Sequence, residues 1–388
     1  MDINQPLSRA DLVELDRLFA GDDREGPSKV LSIYLELEPD VRHERRRWPA
    51  MLNSGLRELQ AKHPGDRELE RLAQGASHEV RQLSPERRGR SLAWFSSPQG
   101  GQWHRSLQLS TGTQFAWHDR PVMRPLVSIV ESAPTTGLLV VAQDRARLLT
   151  WRQGIIREEL QLQADLDTSD WRRFSGGAVP TSSQQSATHS EDFQSRFDEQ
   201  VERFVRGLSR QATAHWQEQR CDLAVVAAAP KLTDVLGTTL PSEWRDRVLS
   251  AGDINLIRAG LSELAEHVTG AVSSWNDQRQ TRLAESVLSM ASSRGAAASG
   301  PQECLDLLAQ YRVAQLLIAG DLELAGYRRD DGAYNLYPAP GEESAPEPHL
   351  VEWMLRLCLE SGVQVVVAKN RAADMLHEVG GVAAMLRY

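Results

Sequence analysis

From Trp171 to Ser190 the chain reads WRRFSGGAVPTSSQQSATHS, and no hydrophobic period runs through it. Strand-like segments precede it, and a long amphipathic helical pattern follows from about Asp192. Any fold must therefore carry an excursion of roughly twenty residues between two firm elements, a length that marks either a functional loop or a structureless insertion. Composition favours contact with solvent or a partner over burial. Trp171, Arg172, Arg173 and Phe174 lead into Gly176-Gly177 and then a run of small polar residues.

Before the excursion, LVSIVES, TGLLVVAQD, ARLLTWRQG and IIREELQL read as strands joined by tight turns. After it, Phe193, Phe197, Val201, Phe204, Val205 and Leu208 form one apolar helix face. Arg196, Arg203, Arg206 and Arg210 lie off that stripe. CDLAVVAAAP is a buried strand and Lys231–Thr239 a short helix.

Toward the N-terminus, Ser8 is placed to cap a helix carrying Leu12, Leu15, Leu18 and Phe19, and VLSIYLEL is a strand. Arg45, Arg46 and Arg47 open a helical region, either as a solvated face or as an RNA contact. Arg87, Arg88 and Arg90 precede the strand SLAWFS. Gly100-Gly101-Gln102 between SLAWFS and HRSLQLS has the chemistry of a hairpin turn.

A long helical pattern from Leu256 to Met290 leads into alternating helices and strands. VAQLLIAG, VQVVVAK and the terminal GVAAMLRY are strands; Glu323–Tyr337 reads as irregular and Pro338–Pro348 as an exposed loop. The expectation is a mixed α/β protein of three domains. These are an N-terminal α+β domain (1–124), a middle domain (125–255) and, after a linking helix (256–295), a C-terminal α/β domain (296–388).

The totals bound the function. A net charge of −9 weighs against non-specific nucleic-acid binding without excluding local basic patches. Arg outnumbers Lys, which suits phosphate contacts and equally follows from a GC-rich genome. The three cysteines, Cys221, Cys304 and Cys358, form no CxxC pair, so buried reduced thiols are expected. No apolar run reaches bilayer length and no signal region opens the sequence, so a cytoplasmic protein with no membrane partner is expected.

No P-loop, dinucleotide fingerprint, HExxH or nucleophile elbow occurs. His104, His118, His349 and His377 read as isolated, and Glu158-Glu159 as a solvated acid pair. Neither a catalytic residue, nor a metal ligand, nor a cofactor can be named.

The order of elements resembles a known family. SIYLEL and an Arg-rich helix come first, then GLLVVAQDRARLLTWRQG, the long loop and the long helix. CDLAVVAAAP, the linking helix, LLIAGD and the closing GGVAAMLRY follow. Together they look like the bacterial branch of the archaeo-eukaryotic release factor superfamily, whose relatives include Pelota and the hibernation factor Balon. The resemblance implies an N-terminal domain aimed at the decoding centre, an RNase H-like middle domain, and a C-terminal α/β domain related to RNA-binding ribosomal proteins. Its members occupy the ribosomal A site and reach the peptidyl transferase centre, and a translational GTPase is an implied partner.

In release factors proper the middle loop carries Gly-Gly-Gln, whose backbone helps place water against the ester. Here Gly176-Gly177 precedes Ala178; Gln184 and Gln185 follow without glycine, and Asn-Ile-Lys-Ser is absent. Carried onto this chain, the resemblance implies rRNA contacts by Arg172, Arg173, Gly176, Gly177, Gln184 and Gln185, and by Arg45, Arg46 and Arg47. Three readings stand: an A-site binding protein of hibernation or rescue that leaves peptidyl-tRNA intact, a divergent peptidyl-tRNA hydrolase or release factor, and a stress-related scaffold with no RNA partner.

Overall fold

The computed structural model describes residues 5–20, 29–37, 47–82, 89–142, 144–163, 185–251, 255–329, 332–338 and 344–387, with the backbone alone for 185–198 and 201. Two compact units emerge, one built from Met1–Ala133 with Ser273–Tyr388, the other from Pro134–Val272. Both are mixed α/β, as expected.

Helix α1 (Arg9–Leu18) starts where the sequence places it: Ser8 and Asp11 exchange capping-box hydrogen bonds. Strand β1 (Val30–Glu36) is buried along nearly its whole length. Helices α2 (Trp48–Lys62) and α3 (Arg67–Gln82) are followed by β2 (Ser91–Ser96), β3 (Gln102–Leu107) and β4 (Gln114–His118). The antiparallel sheet has the order β3-β2-β1-β4. Leu31, Ile33 and Leu35 pack with α2, α3, Trp94 and Trp117. Val30 and Tyr34, pointing the other way, join Phe95 and Trp103 in a second core. Covering both faces is what replaces strand alternation by a continuous apolar run.

The polar atoms of that second face are matched. Val122 N donates to Ser32 Oγ at 3.1 Å, and the Tyr34 hydroxyl donates to Val122 O at 2.6 Å. Gly100-Gly101-Gln102 forms the β2–β3 turn, as its flanks predict. Gly100 has φ +93°, Gly101 O accepts from Ser97 N, and Gln102 Nε2 donates to Glu79 Oε2.

LVSIVES departs from expectation. It lies in helix α4 (Arg124–Ser132), where Pro125 sits in the first turn and Leu126, Val127 and Ile129 share the buried side. Their β-branched content suggested a strand, but the i, i+1, i+3 burial is helical.

The second unit comprises β5 (Thr136–Val141), β6 (Arg145–Arg152), β7 (Ile155–Gln163), α5 (Gln185–Glu218), β8 (Leu223–Ala227), α6 (Pro230–Thr239), α7 (Ser242–Arg245), β9 (Val248–Ser250) and a 3-10 turn at Asn255–Arg258. Its sheet order is β7-β6-β5-β8-β9, antiparallel from β7 to β5 and parallel from β5 to β9. Gln153 and Gly154, at φ +50° and +84°, make the two-residue β6–β7 turn, a geometry matched to strand twist. Helix α5 starts at Gln185, earlier than the expected Asp192; its polar first turns carry no apolar stripe by which to read them. It buries Val205, Leu208, Ala212 and Trp216. Trp216 lies so close to β5 that a Cβ on Gly137 would stand 2.2 Å from Trp216 Cδ1.

The first unit resumes within α8 (Leu261–Ser292), then β10 (Ala297–Ser299), α9 (Pro301–Ala309), β11 (Val313–Ala319), β12 (Gly326–Arg329), β13 (Tyr334–Asn335), β14 (Ser344–Glu347), α10 (Leu350–Ser361), β15 (Gln364–Ala368), α11 (Asn370–His377) and β16 (Val382–Leu386). The main sheet here runs β10-β16-β11-β15, with β11 and β15 parallel across α10. The segment expected to be irregular contains strands: β13-β12-β14 form a small sheet, and the Tyr334 and Trp353 rings lie 4.0 Å apart. Strands of two to four residues are too short to show a period.

This N- and C-terminal material shares one core. Arg124, 8% exposed, donates to Gly320 O, Leu322 O and Glu323, and its Nε stands 3.6 Å from Glu352. Arg9 donates to Cys358 O at 2.5 Å, Val363 O at 2.9 Å and Glu131 at 3.2 Å. The histidines are also less isolated than their sequence positions imply. His377 meets Asp321 at 2.7 Å, and the His118 and His349 rings stack.

Candidate nucleic-acid interface of the middle unit

Strand β7 ends at Gln163 and α5 begins at Gln185. Arg172, Arg173, Gly176, Gly177 and Gln184 fall between them, outside the described residues. Gln185 is the first residue of α5, described by its backbone alone. Arg45 and Arg46 also lie outside the described residues. Arg47 is exposed at the N-cap of α2, and its carbonyl accepts from Ala50 N and Met51 N, both at 3.1 Å.

The described part is the mount on which that excursion begins. Strand β7 is an edge strand, largely exposed. Its pairing with β6 slips between Leu148 and Leu149, so that Glu159 bulges out of the ladder. Bulges bend a strand and redirect the residues beyond them.

Beside the bulge, Arg147 on β6 grips Glu158 on β7 with two bonds, Nε–Oε1 at 2.8 Å and Nη2–Oε2 at 3.1 Å. Its remaining nitrogen donates to Ala259 O at 2.7 Å and Ile257 O at 3.3 Å. A forked guanidinium with every arm engaged fixes direction as well as distance. The hydrogen bonds from Arg147 hold the Glu158 carboxyl below its ordinary range, against the opposing effect of burial. Glu158 is thus a structural anion, contrary to its reading as half of a solvated acid pair. Adjacency to Glu159 hid this, because the bulge turns two neighbours to different surroundings.

Along the described part of α5, Arg203, Arg206 and Arg210 are exposed and recur at i, i+3 and i+7. They therefore line one side over about 10 Å of helix. Glu202 pairs with Arg206 at 3.2 Å. Ser209 Oγ and Thr239 Oγ1 share a hydrogen bond at 2.6 Å, joining α5 to α6.

Burial pushes the Cys221 thiol up to about 11, leaving it protonated at neutral pH. His215 Nε2 is engaged with Thr150 Oγ1 at 3.2 Å. A groove of about 270 Å³ between α6 and β9 is lined by Val226, Thr233, Leu236, Leu240, Arg245 and Ser250, a largely apolar wall with no carboxylate or thiol. Among the described residues no three metal-ligating side chains converge, and no helix is long and apolar enough to cross a membrane.

Comparison with known proteins bears on this unit. Residues 121–272 match the family model of bacterial archaeo-eukaryotic release factor family 10. The Bacillus subtilis (strain 168) protein YocB is 23% identical over 252 residues, covering 63% of this chain and 93% of that protein. Among solved structures, an archaeal translation termination factor, aRF1, is 16% identical and covers 98% of this chain and 99% of its own, with a TM-score of 0.24. Ribosome-bound archaeal Pelota is 12% identical, covering 99% and 95%, with a TM-score of 0.40. Superpositions this loose establish neither a site nor an activity.

Proposed function

We propose that this chain, whose residues 121–272 match a family model of the bacterial archaeo-eukaryotic release factors, belongs to that superfamily and is a ribosome-associated protein that occupies the A site without cleaving peptidyl-tRNA, in hibernation or rescue. The observation that carries this reading is Gly176-Gly177-Ala178 in the excursion between β7 and α5, at the place where release factors proper carry Gly-Gly-Gln. Without that glutamine the family's means of placing water against the ester is gone, while the excursion keeps its place in the chain.

On this reading Arg172, Arg173, Gly176, Gly177, Gln184 and Gln185 meet rRNA near the peptidyl transferase centre, and Arg45, Arg46 and Arg47 meet small-subunit RNA. On the same reading 1–124 faces the decoding centre, 125–255 the peptidyl transferase centre, and 296–388, which packs with the N-terminal part in one compact unit, a translational GTPase. Two local features support the middle contact. The Arg147–Glu158 fork stiffens the base of β7, and the α5 arginines can meet phosphates despite the net charge of −9.

The test is co-sedimentation of the full chain with vacant and with peptidyl-tRNA-loaded bacterial ribosomes, with peptide release assayed in the same tubes. Binding without release is expected, and replacing 171–185 by a short Gly-Ser linker should abolish it. Release that disappears in a Gln184→Ala/Gln185→Ala variant would instead identify a divergent hydrolase. No pelleting even at low salt, where phosphate contacts are strongest, would leave a scaffold with no RNA partner.

A further inference from the structure

His118 closes β4, and His349 immediately precedes α10. Their ring centroids are 3.4 Å apart and their planes 21° from parallel. The His118 Nδ1 atom is buried and has no hydrogen-bond partner among the described residues. One imidazole comes from the N-terminal segment of the first unit and the other from its C-terminal segment, so the stack bridges parts that meet only in the folded state.

We propose that the His118–His349 stack is an acid-released latch between the N-terminal and C-terminal segments of the first unit. Two neutral imidazoles stacked in this way attract by dispersion; two imidazolium rings at the same spacing repel at short range. Glu347, Glu323 and Asp119 favour a charged His349, but burial outweighs them. On the N-terminal side stand Asp119 next to His118, His63 at the end of α2, and Arg124. On the C-terminal side stand Glu347, Glu323 and the buried Glu352. Two of these carboxylates are already committed: Glu347 Oε1 accepts from His349 N at 3.0 Å, and Glu352 Oε2 accepts from Met123 N at 2.7 Å.

Burial first, then the nearby His349 and His63, pull the His118 pKa down to about 3 from 6.5; burial also lowers His349. A base with a depressed folded pKa contributes stability that is present above 6.5 and is lost as the pH falls toward 3. Once the latch opens and His118 meets water, each pH unit below 6.5 favours the open form by about tenfold. Burial raises Glu352, Asp16 and Glu131, which act in the opposite sense, so the histidines must be isolated by substitution.

The experiment is hydrogen exchange of the full chain at pH 7.5 and 5.5, corrected for intrinsic rates. Exchange in Gln114–His118 and Leu350–Ser361 should rise about tenfold at the lower pH, while Thr136–Val141 and Leu223–Ala227 in the other unit stay unchanged. The His118→Phe/His349→Phe double variant keeps two stacking rings without a titratable nitrogen, and the rise should vanish. Persistence of the rise in that variant, or an equal rise in both units, would overturn the proposal. Should the double variant not fold, ring-proton NMR of the wild-type protein decides. His118 should hold its neutral chemical shift down to pH 5, and an ordinary titration near pH 6.5 would sink the latch.

Discussion

In the unit spanning 134–272, the sheet is apolar through its centre and its arginines work at the edges. Arg147 ties β7 to the turn before α8, and Arg247 lies 4.3 Å over the Trp244 ring while donating to Cys221 O and Asp222 O. In the unit built from the chain ends, Arg124 and Arg9 reach from the N-terminal segment into the C-terminal one, and Arg124 is almost wholly buried beside a buried glutamate. The first arrangement joins strands that are close in sequence; the second must select partners from opposite ends of a 388-residue chain. Apolar contact is non-directional, whereas a guanidinium aimed at named carbonyls accepts only one alignment. Arg147 is nearly as buried as Arg124, so burial does not separate the two units; the span does, 112 residues from Arg147 to Ala259 against 198 from Arg124 to Leu322 and 349 from Arg9 to Cys358.

The thiols report on the two units separately. Burial pushes Cys304 and Cys358 in the first unit up to about 12, and Cys221 in the second up to about 11, so all three should label only on unfolding. The largest effect expected is that of Arg124→Met, which strands Glu352 without its cation and should cost about 3–5 kcal/mol. Mass-resolved thiol labelling across a denaturant series should shift the midpoints of Cys304 and Cys358 and leave Cys221 in place; an equal shift at Cys221 would erase the distinction between the units. Gly137→Ala should do the reverse. It drives a methyl into Trp216 and should cost about 1–3 kcal/mol, read at Cys221.

Arg9→Ala removes the bonds to the end of α10 and should cost about 1–3 kcal/mol, again at Cys304 and Cys358 alone. The smallest effect belongs to Asp66→Ala. Asp66 accepts from Leu69 N at 3.1 Å in the first turn of α3 and from Trp117 Nε1 at 2.8 Å. Loss of this cap should cost about 1 kcal/mol at neutral pH. Burial raises the Asp66 pKa, but these hydrogen bonds and Lys29 outweigh it and leave the pKa lowered. Its contribution is therefore present above 3.8 and fades as the pH falls through the depressed value. Chemical denaturation of wild type and variant should converge below pH 3.8.

Local chemistry was readable wherever a short window contains its own reason. Ser8 announces α1; Gly100-Gly101 announces its turn; the apolar runs of β1, β8, β11 and β15 announce buried strands. The sequence alone also placed the long excursion ahead of a long helix and showed that Gly176-Gly177 lacks its glutamine. What a window cannot contain is a partner far along the chain. LVSIVES became a helix because its burial is set by the elements packed on it, and β12 and β13 exist because β14 supplies the third strand. Glu158 became an anchored anion because a bulge turned it toward Arg147. His118 and His349, Arg124 and Glu352, and Arg9 and the end of α10 are pairings made by tertiary contact. Periodicity records which side of an element is apolar, but only the folded chain decides which charge meets which.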